Sequence, residues 1–132
     1  MYRLYDTSVW IEYKNGIASN RTNQLDHDLI FNQVCTCPII IQEVLQGIRS
    51  NRDFAELEID FRNLKLLNWD ATEAAVSAAM LYRRLRQIGV TIRKPNDCLI
   101  AAYALHFDIE LCHNDRDFDQ IAARTDLKIW KE

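Results

Sequence analysis

A chain of 132 residues is the size of one domain with one core. Its 48% hydrophobic content, with Gly 3 and Pro 2, excludes a disordered or collagen-like chain, and no apolar run approaches the roughly 20 residues of a membrane-spanning helix. Lys+Arg 16 against Asp+Glu 19 leaves a net charge of −3, which argues against a general polyanion binder.

The first residues, Met1-Tyr2-Arg3-Leu4-Tyr5-Asp6, place an acid where a secretory signal carries an apolar stretch, so a soluble cytoplasmic protein is expected. Tyr2 to Tyr5 is short, apolar and aromatic, and predicts a buried strand. Asp6-Thr7-Ser8 caps a helix carrying Val9, Trp10 and Tyr13, which Asn15-Gly16 ends. Ala18 to Asp28 is polar and weakly helical. Val34 to Cys37 predicts a second strand, and Pro38 opens a helix with Ile40, Ile41, Val44, Leu45 and Ile48 on its apolar face. Asn51-Arg52-Asp53 begins another, with Phe54, Leu57, Phe61 and Leu64 at helical spacing. Lys65 to Trp69 predicts a third strand.

Asp70 to Glu73 opens an alanine-rich helix that runs to about Ile88, where Gly89 stops it. Val90 to Ile92 predicts a short extended piece. Pro95-Asn96-Asp97 starts a helix with Leu99, Ile100, Ala101, Ala104 and Leu105 on its apolar face. Ile109 to Cys112 predicts a strand buried on both faces, Phe118 to Ala123 a short helix, and Leu127 to Trp130 a last strand. This alternation predicts an α/β fold with a mostly parallel sheet, in which ligands sit at the carboxyl ends of the strands.

Acids fall at those ends. Asp6 follows the first strand, Asp97 lies just after Pro95, and Asn114-Asp115-Arg116-Asp117 follows the Ile109–Cys112 strand. Counting 100° per residue puts Glu43 at the margin of its helix's apolar stripe. Singly, Asp6, Asn96 and Asp97 are ordinary capping residues and Glu43 an ordinary solvated one. Jointly, converging carboxylates need a cation between them, and an all-oxygen set suits Mg²⁺ or Mn²⁺, ions that serve phosphoryl chemistry. The four cysteines and three histidines have no zinc-like spacing, so the cysteines are expected to be reduced structural thiols.

Four segments, in this order and spacing, resemble the motifs of PIN domains. They are Asp6-Thr7-Ser8-Val9-Trp10-Ile11, Ile39 to Gly47 with its Glu43, Pro95-Asn96-Asp97-Cys98-Leu99-Ile100-Ala101-Ala102, and Leu111-Cys112-His113-Asn114-Asp115-Arg116-Asp117-Phe118. The resemblance covers essentially the whole chain, and its compact form is similar to the VapC toxins of prokaryotic toxin–antitoxin pairs. It implies a single three-layer α/β/α domain and a metal-dependent endoribonuclease that hydrolyses RNA with a 5′-phosphate product. By the same resemblance Asp6, Glu43, Asp97 and Asp115 would hold Mg²⁺ or Mn²⁺. Asp117 is a fifth acid or, alternatively, the cap of the following helix. Ser8 and Asn96 would orient the carboxylates. His113 stands where many relatives carry Thr or Ser, and is expected in a supporting role.

With four acids given to a cation the remaining surface no longer repels RNA. Arg93 and Lys94, close to Asp97 in sequence, and Arg86 are the expected phosphate contacts, against a plain reading as a solvated helix face and loop. Trp10, one turn from Asp6, is a candidate wall of the pocket, although apolar helix positions make aromatics core residues more often. Ala75, Ala78, Ala79 and Tyr82 permit close helix approach and predict a homodimer face. A cognate VapB-type antitoxin would be the partner. The alternatives are a PIN-type RNA-processing nuclease without an antitoxin and an inactive PIN-like binding module. A response-regulator receiver fits poorly, because Thr7 rather than a second acid follows Asp6.

Overall fold

The computed structural model describes residues 1–132. Four short strands, β1 (Arg3–Tyr5), β2 (Val34–Thr36), β3 (Lys65–Leu66) and β4 (Glu110–Cys112), form one all-parallel sheet in the order β3-β2-β1-β4. Seven helices cover both sides of it: α1 (Thr7–Lys14), α2 (Asn20–Ile30), α3 (Pro38–Gln46), α4 (Asn51–Arg62), α5 (Ala71–Gln87), α6 (Pro95–Phe107) and α7 (Arg116–Ala122). The chain runs outward from β1 through β2 to β3, then crosses back to lay β4 on the other side of β1. The order therefore reverses between β1 and β4, and the crevice beyond their carboxyl ends is where such sheets take ligands.

The sheet is central because its residues exclude water. Leu4, Tyr5, Cys35, Thr36, Leu111 and Cys112 are all fully buried. Helix α6 passes beneath with Cys98, Ile100, Ala101, Ala102, Tyr103 and Ala104 buried, more of its circumference than one apolar stripe accounts for. The four cysteines are free and buried, as expected, and burial pushes the Cys35 and Cys37 thiols up to about 12, which makes them unreactive.

Several elements differ from the sequence reading. The Lys65–Trp69 strand shrinks to β3, two exposed residues at the sheet edge, although the Leu67 N–H still reaches the Thr36 carbonyl at 2.8 Å. The last strand reduces to a single Leu111–Ile129 bridge, flanked by the Leu111 N–H on the Lys128 carbonyl and the Trp130 N–H on the Leu111 carbonyl. Val90 to Ile92 joins no sheet, and Ile92 serves as a buried plug. Helix α7 starts at Arg116 rather than Phe118, because Asp115 caps it. Phe54 stands 39% exposed rather than in the core. Trp10 is buried against Phe61, ring centroids 4.9 Å apart, and packs between α1 and α4 instead of walling the acidic site.

Candidate metal centre

The crevice beyond β1 and β4 collects the acids. Asp6, the residue after β1, is the N-cap of α1: its Oδ2 accepts the Ser8 N–H at 3.0 Å and the Ser8 hydroxyl at 2.6 Å. Its capping role and its place in the crevice therefore coincide. Its own N–H donates to the Cys112 carbonyl at 3.0 Å, which ties the ends of β1 and β4 together. Ser8 Oγ in turn accepts the Asn114 N–H at 3.0 Å, so one hydroxyl bridges the two strand exits.

Asp97 enters from the first turn of α6, where Pro95 supplies a pre-set backbone. Asp115 caps α7 by accepting the Asp117 N–H at 3.0 Å, and Asp117 lies in that helix's first turn. Asp97, Asp115 and Asp117 each offer an oxygen within 4.8 Å of the others. Of the two readings left open for Asp117, its place is in the cluster, and the cap is Asp115. Glu43, on α3, accepts the Thr7 hydroxyl at 2.7 Å and the Asn96 side-chain amide at 3.4 Å. Thr7 was not among the expected site residues. Its signal was its place inside Asp6-Thr7-Ser8, but only the packing of α1 on α3 reveals its partner.

The His113 side chain is 6% exposed. Its Nδ1 accepts the Asp115 N–H at 2.9 Å, which leaves Nε2 to donate to Asp119 at 3.1 Å. It braces the backbone that carries Asp115, as a supporting hydroxyl at that position could. Arg93 and Lys94 do reach the acids: Lys94 Nζ stands 3.1 Å from Asp115, and Arg93 Nε 3.3 Å from Asp117. Arg86 does not. Its guanidinium lies over the Tyr82 ring at 5.6 Å.

The electrostatics of the cluster are those of crowded, partly buried carboxylates. Burial raises Asp97, and the neighbouring Asp6, Asp115 and Glu43 carboxylates add to it against the pull of Lys94, so its carboxyl is pushed up to about 7. Asp6 is raised too, by burial first, with Glu43 contributing and the Ser8 hydrogen bonds opposing. For Asp115 burial also works against the charge, but the Asp117 N–H, Lys94 and Arg93 outweigh it and hold the carboxyl below its ordinary value. Asp97 Oδ2 is buried with no hydrogen-bond partner. A buried carboxylate oxygen without a donor is costly, and an ion is one of the few things that satisfies it. Three convergent carboxylates, one with an orphaned oxygen, form a set without histidine or cysteine ligands, which fits a hard divalent cation such as Mg²⁺ or Mn²⁺.

Comparison with known proteins identifies the family and the fold. The family model described as PIN domain matches residues 3–124. The chain is 35% identical over 127 residues to ribonuclease VapC11 of Mycobacterium tuberculosis, covering 95% of each chain. It is equally similar to VapC ribonuclease Mb1587 of Mycobacterium bovis. Among solved structures it resembles VapBC2 from Rickettsia felis bound to a promoter DNA fragment, with a TM-score of 0.76 at 22% identity over 99% of this chain and 100% of that one. It also resembles DNA-bound VapBC from Salmonella typhimurium, with a TM-score of 0.74 at 23% identity over 98% of both chains.

Proposed function

The chain belongs to the PIN-domain family, and on that premise we propose that it is a metal-dependent endoribonuclease, the toxin of a toxin–antitoxin pair. The observation that carries the chemistry is the trio Asp97, Asp115 and Asp117, with oxygens within 4.8 Å and one of them unpartnered. Asp97, Asp115 and Asp117 would hold Mg²⁺ or Mn²⁺, with Asp6 and Glu43 completing the negative wall. When bound, such an ion lowers the pKa of an attacking water and stabilises charge on the scissile phosphate and the leaving oxygen. Ser8 holds Asp6 against the β4 exit, Thr7 and Asn96 aim Glu43, and His113 fixes the backbone of Asp115. Lys94 and Arg93 stand at the rim, where an RNA phosphate would arrive.

The antitoxin reading is supported by the named VapC relatives and by a second feature. A cavity of about 480 Å³ between α1, α2 and α4 has an apolar floor of Trp10, Leu29, Leu57 and Leu64 under a rim where Asp53, Glu56 and Asp60 outnumber the single cation Lys14. Its charge and shape suit a basic amphipathic segment of the antitoxin.

The test is cleavage of total cellular RNA by the purified protein in Mg²⁺, in Mn²⁺ and in EDTA, beside Asp6→Asn and Asp97→Asn. The reading predicts metal-dependent cuts with 5′-phosphate ends that vanish in both variants. Cleavage that persists in EDTA or in the variants overturns it.

A further inference from the structure

Asp115 and Asp117 are not bare. Arg93 Nη2 lies 3.4 Å from Asp115 Oδ1, Arg93 Nε 3.3 Å from Asp117 Oδ2, and Lys94 Nζ 3.1 Å from Asp115 Oδ2. The Arg93 backbone N–H adds a 3.4 Å contact to Asp117. Two of the three clustered acids thus have cationic partners, while the third, Asp97, has an oxygen with none. The two sides of these pairs differ in their surroundings. The carboxylates are 9% exposed, whereas the Arg93 and Lys94 side chains are 60% and 63% exposed. Both cations sit in the loop between α5 and α6, which has no regular structure after Gly89 turns the chain at a φ of +87°.

An exposed cation on a long side chain holds a carboxylate weakly, because solvent competes for it at every moment. A divalent ion drawing oxygens from Asp97, Asp115 and Asp117 takes the place these two cations fill, and repels them as it does so. We propose that Arg93 and Lys94 form a displaceable internal counter-ion. They neutralise Asp115 and Asp117 while the centre is empty, and entry of the metal frees them to meet the RNA phosphate. This rests on the reading of the centre as a metal-dependent ribonuclease site. It adds an order, metal before RNA, and a coupling: each ligand favours the other because both gain from the same released arm.

The experiment is a calorimetric titration of Mn²⁺ into chelator-stripped protein, comparing the parent with Arg93→Ala/Lys94→Ala. Arg83→Ala/Arg84→Ala, which removes equal charge from α5 without touching an acid, is the control. The counter-ion predicts Mn²⁺ binding tighter by about three- to thirtyfold in the first variant, from exposed pairs of ordinary strength, and little change in the control. Melting adds a readout that a fixed brace would not give. The Arg93/Lys94 variant should melt below the parent in EDTA and together with it in saturating Mn²⁺. With Mn²⁺ saturating, its KM for RNA should rise while kcat is kept. Equal or weaker Mn²⁺ binding, an equal gain in the control, or the same melting deficit in both conditions would overturn the proposal. Normal Mn²⁺ binding by the parent with no difference in the variant removes the arm alone. No Mn²⁺ binding by any of the three removes the metal centre and the arm with it.

Discussion

Asp97 concentrates the physics of the site in one side chain. Its carboxyl is pushed up to about 7, by burial first and by Asp6 next, while an unfolded chain releases that proton near 3.8. Between those values the folded state holds a proton the unfolded state has lost, so the metal-free protein loses stability as pH rises from about 4 to about 7. The full loss is at most about 4 kcal/mol. A bound cation reverses the preference by favouring the ionised form. Thermal melts in EDTA should therefore fall between pH 5 and pH 8, Mn²⁺ should raise the melt more at pH 8 than at pH 5, and Asp97→Asn should flatten both trends. A melt in EDTA that rises over this range would contradict the assignment. Ser8 gives a second test at this scale. Ser8→Ala removes the 2.6 Å donor to Asp6 and the acceptor of the Asn114 N–H. Losses of this supporting kind usually cost about ten- to a hundredfold in metal affinity or activity, and the same Mn²⁺ titration reads it.

The elements are held by a second network, centred on α2 and the starts of β1 and β4. Asp28, fully buried on α2, accepts from Tyr5 at 2.6 Å, Arg3 at 2.5 Å and Gln24 at 3.0 Å, and Arg3 also reaches Glu110 at 2.8 Å. One carboxylate thereby joins α2 to β1 and, through Arg3, to β4, the two strands whose far ends carry the acids. Burial acts against its charge, but Tyr5, His27 and Arg3 outweigh it and hold the carboxyl below its ordinary value. The stability this lends is present above the unfolded pKa and is lost as pH falls through the folded one. Asp28→Ala strands Arg3 against a buried hole and is expected to cost about 3 kcal/mol or more, read as a lower urea midpoint at unchanged slope. A loss under about 1 kcal/mol would show the network to be incidental.

Most of this scale was legible in the sequence, and the misses have physical causes. Asp6, Pro38, Asp70 and Pro95 mark helix starts through local chemistry, and β1, β2 and β4 are buried enough to read as apolar runs. The edges carry no such signal. Residues 65–69 and 127–130 are apolar enough for strands, but what decides β3's two residues and the lone Leu111–Ile129 bridge is how much neighbouring backbone is there to pair with. The α2 start was hidden because Thr22 fills the capping-box position that Glu or Gln usually marks. The candidate site was legible as a set of acids and not as an arrangement. Which of Asp115 and Asp117 caps α7, and that Thr7 serves Glu43, depends on side-chain directions that no spacing records.

At the scale of the whole molecule, the fold places its switch point, its acids and its exposed cations on one crevice, and leaves other faces for partners. No helix is long and apolar enough to cross a membrane. On α5, Val76 and Met80 stand 51% and 58% exposed beside the small Ala75 and Ala79, a surface that suits a second copy of the chain. Sedimentation of the purified chain at micromolar concentration is expected to give a dimer that Val76→Glu/Met80→Glu converts to monomer. A parent that sediments as a monomer would contradict this face as the interface.

The carboxylates gathered beyond β1 and β4 are expected to hold a divalent cation. The most direct test is anomalous diffraction from crystals of the protein soaked in Mn²⁺. A manganese peak is expected among the oxygens of Asp97, Asp115 and Asp117, lost in Asp97→Asn, with Arg93 and Lys94 withdrawn from the two acids they contact in the metal-free protein. Saturating Mn²⁺ with no peak in that crevice, or a peak that survives Asp97→Asn unchanged, would contradict this expectation.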